Sequence, residues 1–88
     1  MSVTVHIPSP MRSYTGGAAR VEAQGQSIDE LLQDLDRRFA GFRFRLVDEH
    51  GRLRRHIKVF AGMTASEDLD RVLGAGEDLH IIAALSGG

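Results

Sequence analysis

Only one stretch of this 88-residue chain reads as a long amphipathic helix, and it carries every part of that signature. In "SIDELLQDLDRRF", Ile28, Leu31, Leu32, Leu35 and Phe39 recur at the three- and four-residue spacing that lines one face of a helix. Ser27 with Glu30 three residues later reads as a capping box. Asp29 and Glu30 suit the positive end of the helix dipole, Arg37 and Arg38 the negative end, and Gly41 supplies a stop. A helix with a single apolar stripe cannot build a core alone. The rest of the chain must offer it a matching apolar face.

Four stretches alternate as half-buried strands do. "VTVHI" sets Val3, Val5 and Ile7 against Thr4 and His6, and Pro8 and Pro10 stop it. Beyond Gly16-Gly17, "AARVEAQ" is a weaker second strand, with Ala19, Val21 and Ala23 on one side. "HIKVF" places Ile57 and Val59 on one face and His56, Lys58 and Phe60 on the other, and "AGM" then turns the chain. "DLHIIAAL" is the last strand, Leu79 and Ile81 opposed to His80 and Ile82. Between these, "FRFRLVDEHGRLRR" reads as irregular structure with a turn at His50-Gly51. "SEDLDRVL" reads as one or two helical turns with Leu69, Val72 and Leu73 inward, ended by Gly74 and Gly76.

The order strand, strand, helix, strand, helical turn, strand predicts the α+β class. A mixed sheet of four to five strands packs on one main helix, because each layer has one apolar face and the two must cover each other. That layering is the β-grasp, or ubiquitin-like, roll. By analogy with that fold, the first and last strands are expected side by side and parallel at the centre of the sheet. With no repeat and no linker, residues 1–84 form one domain, and 85–88 are expected to be a flexible Gly-Gly tail.

Composition narrows the function classes. Without cysteine there are no disulfides, thiolate metal sites or cysteine nucleophiles. "MSVTVHIPSP" has no basic segment followed by an apolar core, and no apolar run approaches the roughly 20 residues that span a bilayer. A cytoplasmic protein with no membrane partner is expected. Net charge is −1, but it is segregated: eight basic residues from Arg37 to Lys58 face only Asp48 and Glu49. Between Glu67 and Asp78, five acids face Arg71. The pI near 6.4 and the lack of interleaved aromatics argue against a nucleic-acid partner. Solvated arginines on a turn-rich segment are the favoured reading, with a protein-docking edge as the alternative.

Motifs for catalysis are missing. No GxSxG elbow, no GxGxxG opening a helix and no GxxxxGK[ST] loop occurs, so the chain is not expected to be an enzyme or to bind a cofactor. Of the four histidines (His6, His50, His56, His80), none shows the close spacing typical of zinc ligands. His6 and His80 are expected near each other on neighbouring strands, as solvated sheet-face residues with no metal. His6, Lys58, Phe60, His80 and Ile82 all point away from the helix by alternation. They are expected to form one partner-binding surface beside the exit of the tail.

The tail itself, "AALSGG", puts Gly87-Gly88 directly after the last apolar strand, with only Leu85 and Ser86 between. The combination resembles the ThiS/MoaD family of ubiquitin-like sulfur carrier proteins over essentially the whole chain. The stretches that carry the likeness are "VTVHIPSPMRSYTGG", "SIDELLQDLDRRFAGF", "RLVDEHGRLRRHIKVF" and above all "LGAGEDLHIIAALSGG". The resemblance implies that the Gly88 carboxylate is adenylated with ATP by a ubiquitin-activating-type partner enzyme. It is then converted to a thiocarboxylate that gives its sulfur to a biosynthetic enzyme. Gly87, Ser86 and Leu85 would form the thin tail that enters the partner, since glycine lacks a Cβ and tolerates any imposed φ.

The chain departs from the family pattern in three places. Ala83 or Ala84 stands where a proline is common, Ala61-Gly62 where an Asn-Gly-type turn is common, and "MTASED" follows in place of a basic residue. "IPSPMRSYTGG" lacks the aromatic-rich end of the molybdopterin synthase small subunit and is more similar to carriers that supply sulfur for cysteine biosynthesis. The small subunit of molybdopterin synthase and a ubiquitin-like protein modifier stay as alternatives. Sequence leaves open the pathway, the sulfur donor and the oligomeric state.

Overall fold

In a computed structural model the described residues are 2–83, and within them the helix stripe and the strand faces meet as one core. Five strands, β1 (Ser2–His6), β2 (Arg20–Gln24), β3 (Ile57–Ala61), β4 (Thr64–Ala65) and β5 (Leu79–Ala83), form a mixed sheet in the order β2-β1-β5-β3-β4. β1 and β5 pair in parallel at its centre, and every other neighbouring pair is antiparallel. The main helix, α1 (Ile28–Arg38), covers one face. Ile28, Leu31, Leu32 and Leu35 are buried with Val5, Ile57, Val59 and Ile81, in the two-layer β-grasp arrangement.

The helix begins where its free N–H groups find acceptors, since the first turn has none of its own. Ser27 Oγ accepts from the Glu30 N–H (3.2 Å), while Glu30 Oε1 accepts from the Gln26 N–H (2.8 Å), one residue earlier than a standard capping box. The Ile28 and Asp29 N–H groups donate to the carbonyls of Arg71 (3.0 Å) and Leu69 (2.9 Å). These two bonds explain why residues 66–73 are not the helical turns expected from sequence. An extended chain can lend its carbonyls to a neighbour, whereas a helix spends them internally. Ser27 and Val72 accordingly form an isolated antiparallel bridge, and the Leu73 N–H donates to Gln26 O (2.9 Å). Leu73 is buried and Leu69 packs against the core, but Val72 points outward, 61% exposed.

A second correction concerns "FRFRL". The segment expected to be irregular contains a short helix, α2 (Phe42–Leu46), which follows Gly41 at φ 87°. Phe42, Leu46 and Val47 are buried and extend the core past the end of α1. Arg43 ties the two helices together through Asp29 (2.7 Å). Several arginines of the basic segment are likewise engaged: Arg37 and Arg38 pair with Asp34, and Arg54 lies over the Phe44 ring, 4.5 Å from its centroid. Ala19, expected on the inner side of the second strand, lies just before β2 and is exposed; its carbonyl accepts from the Ile7 N–H (2.8 Å). The hairpin turn at "AGM" stands as expected, with Gly62 at φ 64° joining β3 to the brief strand β4.

Candidate functional site on the outer sheet face

Side chains alternate along a strand, so the residues between the core positions of β1, β3 and β5 share the face that α1 leaves uncovered. Register aligns them across strands. His6 lies opposite His80 on the β1–β5 pair, and Phe60 lies opposite His80 on the β3–β5 pair. One row thus runs His6, His80, Phe60 over three adjacent strands. Lys58 and Ile82 face each other in the next row, Lys58 exposed and Ile82 46% exposed. All five residues expected on this surface are on it. Leu85, Ser86, Gly87 and Gly88 lie outside the described residues.

The row has internal order. The His6 and His80 rings stack with centroids 4.2 Å apart and planes within 8° of parallel. His6 Nε2 is 2.9 Å from Asp78 Oδ2, and a carboxylate only accepts, so the imidazole carries its proton on Nε2. The Asp78 carbonyl accepts from the Gly62 N–H (2.8 Å), which fixes that residue against the β3–β4 turn. Asp78 was missed in reading the sequence, although "DLH" carries a signal: residues two apart on an extended chain point the same way.

On the β2 side Glu22 lies opposite Thr4 and Arg20 opposite His6. The Thr4 and Ser2 hydroxyls donate to the Glu22 carboxylate (2.6 and 2.7 Å) and hold it below the usual 4.5. On the other side of the row, Pro8, Pro10 and Arg12 border a shallow open groove with His80 and Ile82. Chemically this is a surface with apolar anchors (Phe60, Ile82), a lysine and a histidine pair.

No family model matches the chain. It is 31% identical over 93 residues to the sulfur carrier protein CysO of Mycobacterium tuberculosis and that of Mycobacterium bovis, covering all of each chain. The Amycolatopsis orientalis BexX/CysO complex contains a chain with TM-score 0.88 and 38% identity, covering 98% of this chain and 99% of that one. Mycobacterium tuberculosis CysO gives a TM-score of 0.86 at 30% identity, covering 94% of this chain and 99% of that one. The small archaeal modifier protein SAMP1 of Haloferax volcanii, at 21% identity and TM-score 0.82, shares the fold.

Proposed function

The chain belongs to the CysO-type sulfur carrier proteins of the ubiquitin-like ThiS/MoaD group, and from that premise we propose that Gly88 is its sulfur-bearing residue. A carboxylate is a poor electrophile, so it must first be activated. In an adenylating enzyme, a Gly88 carboxylate oxygen attacks the α-phosphate of ATP and pyrophosphate leaves, giving an acyl-adenylate. A hydrosulfide-equivalent donor then attacks the carbonyl carbon, AMP departs with the bonding electron pair, and a thiocarboxylate remains. That thiocarboxylate passes its sulfur to a biosynthetic enzyme, with cysteine synthesis the favoured route. The protein is a co-substrate in this reading, and ATP is bound by the partner.

The full-length match to CysO carriers, joined to the stretch Leu85-Ser86-Gly87-Gly88, is the observation that carries this reading. A CysO relative was solved in a complex with BexX, which supports a role exercised through partners. The outer face of β3 and β5 supplies the docking surface: Phe60 and Ile82 as apolar anchors, with Lys58, His80 and His6 around them. β5 leads from this face into the tail, so docking would aim Gly88 at the partner's nucleotide site.

The test is mass spectrometry of the intact chain and of its C-terminal peptide after incubation with ATP, sulfide and a CysO-type adenylating enzyme. The peptide containing Gly88 should gain the mass of one oxygen replaced by sulfur. An enzyme that thiolates its own carrier but leaves this chain unchanged would overturn the reading.

A further inference from the structure

We propose that His6, Asp78 and His80 form a binding site for a borderline divalent transition-metal ion, Zn²⁺ foremost, on the outer face of the sheet. Each of the three offers one donor atom, and these atoms all lie within 4.8 Å of one another. The grouping follows from the fold. The parallel register sets His6 beside His80, and Asp78 precedes His80 by two residues on the same face. Main-chain bonding to Gly62 then anchors Asp78 from below.

Zinc takes imidazole nitrogen and carboxylate oxygen at about 2.0–2.2 Å, so tetrahedral ligand atoms sit roughly 3.3–3.5 Å apart. His6 and Asp78 are already closer than that, at 2.9 Å. The remaining difference is covered by rotating the two imidazoles out of their parallel stack, because coplanar-facing rings cannot both aim a nitrogen at one ion. All three residues are only part-buried, which leaves room for that rotation. When the ion takes His6 Nε2, the ring proton is lost from Nε2 and regained on Nδ1 by exchange with water, so the imidazole stays neutral as the N–metal bond replaces the hydrogen bond to Asp78, with no change of oxidation state.

Two imidazoles and one carboxylate select zinc, cobalt or nickel over magnesium and calcium, which prefer all-oxygen shells. Three protein ligands leave one tetrahedral position open to solvent, so an ion held here could accept a donor from outside the chain. His6 and His80 lie in the face proposed for docking. The metal site needs only these three side chains and stands whether or not Gly88 carries sulfur.

The experiment uses the untagged protein, titrated calorimetrically with Zn²⁺ and followed by visible absorption with Co²⁺. One ion should bind per chain. His6→Ala, His80→Ala and Asp78→Asn should each weaken binding at least about tenfold, while His50→Ala and His56→Ala, away from the cluster, should leave it unchanged. Thermal unfolding of each variant without metal establishes that it folds, and Asp78→Asn carries the test if a histidine variant does not. In the wild type, Zn²⁺ should also raise the unfolding temperature. No saturable binding, or binding that survives in the His6→Ala/His80→Ala double variant, would overturn the proposal.

Discussion

Phe60 of β3 lies directly opposite His80 of β5, on the sheet face that α1 leaves bare. Neither side chain has a core to enter from there. With Ile82 in the next row, Phe60 forms the apolar part of the docking face proposed for an adenylating enzyme. Anchors near the centre of an interface often cost about 2 kcal/mol or more when truncated. Phe60→Ala or Ile82→Ala should therefore weaken binding to that enzyme at least about tenfold, with little loss of fold stability. Binding measured by calorimetry checks this, and unchanged activation kinetics for the double variant would remove the face from the mechanism.

Deleting Gly88, or adding one residue after it, should abolish thiolation while the domain remains folded. Among the described residues the buried core ends at Ile81, and the proposed chemistry needs a backbone carboxylate at Gly88. Circular dichroism and the thiolation assay separate the two effects. A tagged, uncleaved chain that still carries sulfur would refute the proposed terminus.

Leu35 is fully buried on the helix stripe. Leu35→Ala should cost about 2–5 kcal/mol in denaturant unfolding, since a lost side chain leaves both less buried area and a cavity. A cost under about 1 kcal/mol would mean that the helix–sheet contact relaxes freely around the gap.

Gly25 holds φ 150°, and a Cβ built there would sit 2.8 Å from the Glu30 Cβ and 3.1 Å from helix backbone. Because backbone cannot swing aside as a long side chain can, Gly25→Ala should cost about 1–3 kcal/mol. Thermal unfolding should fall by several degrees, and an unchanged midpoint would contradict the close approach of this turn to α1.

Acid should destabilise the fold through a few carboxylates. The Gln24 N–H, with Arg38 and Arg37, holds Asp34 below its usual 3.8; the Gly74 N–H and Arg71 hold Glu77 below 4.5. The Arg52 N–H, with that of His50, does the same for Asp48. Folded-state pKa values below the unfolded ones mean that the unfolded chain binds protons first, so stability rises with pH in that range. The contribution of these carboxylates should be fully present near neutrality and decline as pH drops past 4.5 and 3.8 and below. Asp34→Asn should shallow that acid limb in unfolding scans at stepped pH; an unaltered limb would exclude Asp34 as a contributor.

The elements that sequence revealed were those whose pattern is local. α1 declares itself through its five-residue stripe and its Ser27 cap, and β1, β3 and β5 through alternation. α2 stayed hidden because five residues make little more than one turn, and "FRFRL" alternates apolar and basic as a strand would. The only helical hint was the pair Phe42 and Leu46, four apart after Gly41. Residues 69–73 misled for the opposite reason: their apolar spacing fits a helix, but their carbonyls are bound to the start of α1. No window on the chain contains both partners of such a bond. On the outer face, alternation placed His6, Lys58, Phe60, His80 and Ile82 correctly, while Asp78 became visible only once register brought β5 beside β1.

The central position of β5 bears on how the chain acquires its fold during synthesis. β1 is made first and β5 last, yet they are hydrogen-bonded neighbours, and β3 reaches β1 only through β5. Closing a loop that long is entropically costly and slow compared with forming α1. A nascent or prematurely released chain that stops short of β5 would have the β1–β2 hairpin and the β3–β4 hairpin with nothing to join them. It would expose Val5, Val59 and the helix stripe to quality control. Only a chain translated through β5 closes the sheet. Chains that stop before β5 would thus be cleared as unfolded protein.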